Sequence, residues 1–158
     1  MMKIKIVAVG RVKEKYFTDA ANEYLKRLTR YAKVEIKEVK ECNFTSNEPS
    51  ESEIKEILRR EGEEIKKELS GYVAVMAIEG KKYSSESFAN EIENVKNKHG
   101  ELTLVIGGSY GVDKPIKDMA NAKFSFSDMT FPHTLMRVIL LEQLYRAFTI
   151  SADGKYHK

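Results

Sequence analysis

Two stretches of this sequence combine residue types that can do chemistry. The first is Ile106-Gly107-Gly108-Ser109-Tyr110-Gly111. Glycines in such a run let the backbone turn sharply, and they let a ligand approach main-chain N–H and C=O groups. Two phosphate-binding readings fail. A P-loop needs a second glycine five residues after the first and then a lysine, but Val112 and Asp113 stand there. The dinucleotide fingerprint needs glycines at spacings of two and three, which no set here provides. A ligand loop and a plain strand-to-helix turn both remain open. The second stretch is Ser125-Phe126-Ser127-Asp128-Met129-Thr130-Phe131-Pro132-His133. Its small polar side chains and main-chain amides could read a heteroaromatic edge while Phe126, Met129 or Phe131 cover the ring. The alternative is a connecting loop with its apolar residues in the core.

His133 and Arg137 are four residues apart, as are Glu142 and Arg146, so each pair shares a helix face. The second pair reads as an ordinary helix-surface salt bridge. The terminal Lys155-Tyr156-His157-Lys158 is basic and aromatic, a combination that stacks on a base and contacts phosphate, or else simply frays. Arg11, Lys13 and Lys15 are candidate phosphate contacts or a solvated face. The single cysteine, Cys42, excludes an intrachain disulfide and suits a reducing cytosol. A structural zinc site needs four Cys or His ligands at close spacing, and the one cysteine and three histidines, spread from Cys42 to His157, do not supply them.

The elements that must position these residues follow from periodicity. Lys3 to Val9 alternates and reads as a strand. Glu14 to Ala32 carries an apolar stripe at three- and four-residue steps, which predicts a helix. Val34, Ile36 and Val39 suggest a second strand. Ser50 followed by Glu53 has the spacing of a capping box, opening a helix with Ile54, Ile57, Leu58, Ile65 and Leu69 inward and Gly71 at its close. Tyr72–Ile78 and Leu102–Ile106 are continuous apolar runs, as expected for strands buried on both faces. Ser85–His99, Asp113–Ala122 and His133–Ile150 read as helices, and Phe124–Phe126 as a short strand. Alternating strands and helices predict an α/β fold with a mostly parallel sheet and helices on both faces. In such sheets ligands bind beyond the carboxyl ends of the strands.

The 158 residues suit one domain spanning 1–158. With 42% hydrophobic and 32% charged residues, neither disorder nor membrane insertion is indicated. No apolar run approaches the ~20 residues of a membrane helix. No signal-peptide pattern opens the chain, so a cytoplasmic location is expected. A formal net charge of +3 permits RNA as a partner without requiring it.

Taken together, Gly80-Lys81, the glycine run 106–111, Phe124 to Ser127, Met129 to His133, Arg137, Glu142-Gln143, Tyr145-Arg146-Ala147 and the terminal Tyr156-His157-Lys158 resemble the ribosomal RNA large subunit methyltransferase H family of the SPOUT superfamily. Val7-Ala8-Val9-Gly10 and Glu61-Gly62-Glu63 add to the likeness, which covers the whole chain. The resemblance implies an α/β fold with a C-terminal trefoil knot and a homodimer. It also implies S-adenosylmethionine-dependent N3-methylation of a pseudouridine in 23S ribosomal RNA, on assembled ribosomes. It places cofactor contacts at Met76, Gly107, Phe126, Ser127, Asp128, Met129, Thr130 and Phe131. Catalytic candidates are His133, Arg137, Tyr156 and His157, with Arg137 and the tail holding the RNA base and His133 or His157 as proton acceptor. Arg11, Lys13, Lys155 and Lys158 are candidate RNA contacts. The competing expectation is a non-catalytic ribosome- or RNA-binding module of the same fold.

Overall fold

The computed structural model describes residues 1–44 and 47–152. Five strands and five helices alternate along the chain: β1 (Met2–Val9), α1 (Lys15–Leu28), β2 (Ala32–Val39), α2 (Glu51–Lys66), β3 (Tyr72–Lys82), α3 (Ser85–His99), β4 (Glu101–Ile106), α4 (Lys114–Met119), β5 (Ala122–Ser125) and α5 (His133–Ala152). All strand pairs are parallel, in the order β2-β1-β4-β3-β5.

Strand alternation divides the core in two. Ile4, Ile6 and Ala8 of β1, Leu102 and Leu104 of β4 and Phe124 of β5 point toward α1, α3 and α5, where they meet Phe88, Ile92, Leu140 and Leu144. Val7, Val9, Val73, Val75 and Val105 point to the opposite face, against Ile65 of α2 and Ile116 of α4. Burial on both faces is the reason β3 and β4 read as unbroken apolar runs.

Local chemistry sets several element ends. Ser50 Oγ accepts from Glu53 N–H at 3.2 Å and the Glu53 carboxylate accepts from Ser50 N–H at 3.2 Å, completing the expected capping box. Gly100 ends α3 in the left-handed conformation. Three helices are shorter than their apolar spacing predicts, α2 ending at Lys66 before Leu69 and Gly71. α1 stops at Leu28 and Ala32 already belongs to β2, whereas α4 stops at Met119 and Ala122 opens β5. Leu28 and Ala32 are both buried in one core, so the four-residue apolar step simply continues across the turn.

β3 runs past its predicted end at Ile78. Its pairing with β5 proceeds from Ala74–Ala122 to Met76–Phe124, then resumes at Lys81–Phe124 and Lys82–Ser125. Residues 77–80 therefore swing out of the ladder between two paired segments. Gly80 brings the strand back: a Cβ there would lie 2.7 Å from the carbonyl carbon and oxygen of Lys123.

Candidate active site at the strand ends

A cavity of about 370 Å³ opens at the carboxyl ends of β3, β4 and β5. Three chain segments wall it. The excursion of β3 supplies Met76, Ala77, Ile78 and Glu79. The segment after β4 supplies Gly107 to Val112. The segment after β5 supplies Phe126, Ser127, Met129, Thr130 and Phe131, and α5 adds His133 and Met136.

The β4 segment can be shaped this way only with glycine at its first position. A Cβ on Gly107 would stand 2.3 Å from Gly111 O and 2.5 Å from its carbonyl carbon. Gly111 closes the turn by donating its N–H to Gly108 O at 3.1 Å, with φ of 90°. Main-chain groups thus line this wall where side chains would otherwise fill it. The β5 segment is held by its serines. Buried Ser125 donates to Ser127 O at 3.0 Å, and Ser127 Oγ accepts Met129 N–H at 3.0 Å. Phe126 packs edge-on against Phe88, with ring centroids 5.2 Å apart. At the rim, Lys117 Nζ pairs with Glu79 at 2.6 Å and holds the Glu79 carboxyl below its ordinary range.

Of the eight residues expected at a cofactor, seven line this cavity: Met76, Gly107, Phe126, Ser127, Met129, Thr130 and Phe131. Asp128 turns its side chain out to solvent and pairs with Lys82. His133, at the first turn of α5, also lines the cavity, and its Nε2 faces Gly10, 3.9 Å from where a Cβ would stand. Arg137 lies behind this wall. It is 4% exposed, donates to Glu38 Oε2 at 2.7 Å and approaches Gly10 O at 3.4 Å, while its Nε has no partner among the described residues. Its guanidinium ties the ends of β1 and β2 to α5. Glu142 and Arg146 form the expected ion pair, both half-buried. Arg11 and Lys13 are exposed on the loop after β1. Lys155, Tyr156, His157 and Lys158 lie outside the described residues. Among the described residues no group of three or more His, Cys, Asp or Glu could hold a metal ion, and no helix is long and apolar enough to cross a membrane.

Sequence reasoning gave Glu61 no role at the site, only a place in the family likeness. It is 3% exposed on α2 and packs against Gly108. The signal was present: Ile54, Ile57, Glu61 and Ile65 fall at three- and four-residue steps, so a carboxyl occupies a position of the inward stripe. Burial pushes this carboxyl up from its ordinary 4.5, with the Glu41 charge adding and the Cys42 N–H acting the other way.

An all-parallel α/β sheet with a main-chain-lined cavity at its carboxyl edge belongs to a class of small-ligand enzymes and binders. The family described as "Predicted SPOUT methyltransferase" matches residues 2–157, and the chain belongs to this SPOUT methyltransferase family. It is 45% identical to the ribosomal RNA large subunit methyltransferase H of Leuconostoc mesenteroides, over 99% of this chain and all of the relative. The proteins of the same name from Lactobacillus delbrueckii subsp. bulgaricus and Streptococcus pneumoniae are 47% and 46% identical over the same shares. Among solved structures, a "probable methylase family protein" from Haemophilus influenzae superposes with a TM-score of 0.52 at 13% identity, over 98% of this chain and 70% of that one. That likeness concerns the fold.

Proposed function

We propose that the protein transfers the methyl group of S-adenosylmethionine to N3 of a pseudouridine in 23S ribosomal RNA, on assembled ribosomes, as a cytoplasmic homodimer. The observation that carries this reading is the convergence of three strand-exit segments on one cavity, in a chain of this family whose full-length relatives are named as ribosomal RNA methyltransferases. A volume of about 370 Å³ falls in the usual range for small-molecule sites. The apolar side chains of Met76, Phe126 and Phe131, beside the main chain of Gly107, suit an adenosyl group.

When bound, the sulfonium donor supplies a methyl group already activated for in-line displacement. The protein's task is then position. Met76, Gly107 and the segment Phe126 to Phe131 hold the donor, Asp128 through its main chain because its side chain is committed to Lys82. The N3 proton must leave before or during transfer. His133 on the cavity wall and His157 of the tail are the candidate acceptors. Arg137 does not touch the RNA base directly, as the sequence suggested, because it is buried; it acts by fixing the α5 start, and with it His133, against Gly10 and Glu38. Arg11, Lys13, Lys155, Tyr156 and Lys158 hold RNA. α5 is apolar on almost every side, and Leu135 and Ile139 stay partly exposed in one chain, a face that a second copy would cover. The C-terminal trefoil knot implied by the resemblance belongs to this reading as well.

Ribosomes from cells lacking the protein, incubated with it and isotopically labelled S-adenosylmethionine, should gain one methyl group that mass spectrometry locates at N3 of a pseudouridine. No transfer despite a folded protein defeats the assignment, and equal transfer to naked RNA defeats the requirement for ribosomes. Calorimetry should register donor binding. His157→Ala should cut turnover more than donor affinity, and unchanged turnover would remove that residue from the mechanism.

A further inference from the structure

Glu61 is the one acidic residue whose carboxyl is almost wholly buried among the described residues. Its Oε2 accepts Cys42 N–H at 3.1 Å. Its Oε1 is sealed from solvent and has no hydrogen-bond partner among the described residues. Both oxygens press on Gly108, where a Cβ would stand 3.3 Å from Oε1, 3.6 Å from Oε2 and 3.1 Å from Val9 Cγ1. The next residue, Gly62, packs on Asp113, whose Cβ would lie 3.2 Å from a Cβ at position 62. Two successive residues of α2 therefore grip both ends of the segment that walls the cavity after β4. The third contact, to Cys42, anchors the loop after β2. The neighbouring Glu41 of that loop points its Oε2 at Gly10, 3.6 Å from a Cβ there, on the side where His133 Nε2 also faces Gly10. Gly108 and His133 both line the cavity.

We infer that Glu61 is a positioning residue for methyl transfer: its carboxyl fixes the donor-side loop Gly107–Gly111 against the Glu41–Cys42 loop beside His133. This role presupposes the methyl transfer proposed above. A carboxyl placed so is poorly suited to structural duty alone. An apolar side chain of similar size would fill the site without leaving an oxygen unsatisfied, and such an oxygen costs about 1–3 kcal/mol in general. What an apolar side chain lacks is an acceptor for Cys42 N–H, and with it the link between the two loops.

Charge acts on the latch in two directions: the Cys42 N–H favours the ionised carboxyl, and burial, the larger effect, opposes it. An ionised Oε1 would hold charge beside Val9 and Gly108 with no donor. The titratable groups placed about it are Glu41 and Cys42 on the β2 loop, with Asp113 against the neighbouring Gly62. Of these, Glu41 opposes ionisation of Glu61. A raised folded-state value means that the latch contributes fully below the ordinary 4.5 and weakens as pH rises through the raised value.

The test compares wild type with Glu61→Ala and Glu61→Gln. Amide hydrogen exchange without donor reads the latch itself, and single-turnover rates on ribosomes across pH read its consequence. Glu61→Ala should speed exchange at both Cys42 and Gly108–Gly111 and slow transfer about tenfold or more, with little change in KM for ribosomes. Glu61→Gln, which accepts from Cys42 and carries no charge, should restore both and remove the weakening of the latch as pH rises through the raised value. Unchanged exchange and rate in Glu61→Ala overturn the inference. So does a Glu61→Gln protein as slow as Glu61→Ala, or one that keeps the wild-type pH profile. That profile decides the matter if Glu61→Ala does not fold. Accelerated exchange in a protein whose wild type transfers no methyl group supports the latch and sinks the proposed function instead.

Discussion

On the outer face of α2, Glu56 stands between Arg59 and Arg60, at 2.6 Å and 2.9 Å, and Arg59 reaches on to Glu63 at 2.5 Å. Five residues along, on the inner face, Glu61 has one backbone donor and, among the described residues, an oxygen without a partner against the cavity loop. The two carboxyls move in opposite directions from the same 4.5: the guanidiniums of Arg59 and Arg60 pull Glu56 down to about 2, and burial pushes Glu61 up. The outer network has far more ion pairs, yet water screens every member of it. On the inner face and the strand ends beyond it, backbone crowding and buried polar groups leave no water to compensate a change. A count of interactions thus ranks the two regions in the wrong order for what each contributes.

Gly107→Ala should break the inner region most severely. The added Cβ meets the main chain of Gly111 at 2.3 Å, and no side chain can yield to admit it. The loop must rebuild, so donor binding should disappear from calorimetry, a loss of about a hundredfold or more. Retained affinity would show that the cavity does not depend on this turn. Next comes Arg137→Met, which keeps the volume but removes the link to Glu38 and Gly10 O. Because Glu38 is 41% exposed and regains water, the expected loss is about 1–3 kcal/mol in urea unfolding, below that of a fully buried pair. Ser50→Ala is milder again. It deletes half of the capping box at the start of α2 and should cost about 1 kcal/mol.

The same contrast explains what could be read from the sequence. Features fixed within one turn of chain were legible: the Ser50–Glu53 capping box, the bounds of α3, and the glycine run after β4 as a sharp turn. The three cavity walls were legible too, because an open parallel sheet binds ligand beyond its strand ends and the small, polar and glycine residues cluster there. Features fixed by distant partners were not. The excursion of β3 depends on Phe124 pairing with both Met76 and Lys81, which no local pattern records. The burial of Arg137 depends on Glu38, ninety-nine residues away, so its spacing from His133 suggested a shared surface where the structure has a wall and its support. Asp128 differs from its seven companions for a similar reason, since Lys82 draws its side chain outward. Glu61 falls between the two cases, with its place on the apolar stripe visible and its contact with Gly108 not.

Glu56→Gln sharpens the comparison from the other side and should have the smallest effect. A lowered folded-state value means that Glu56 contributes above about 4.5 and loses that contribution as pH falls through about 2. Both its partners are exposed, however, and at physiological salt the Debye length of about 8 Å already blunts the attraction. At pH 7 and physiological salt the urea midpoint of Glu56→Gln should match wild type. A small difference should emerge at low salt and shrink as the pH approaches 2. A large loss at physiological salt would mean that the outer face is cooperative with the core, and the ranking of the two faces of α2 would have to be reversed. Should Glu56→Gln instead alter transfer rates while stability stays constant, the outer network would be acting through the helix on Glu61, and the two carboxyls would form one device rather than two.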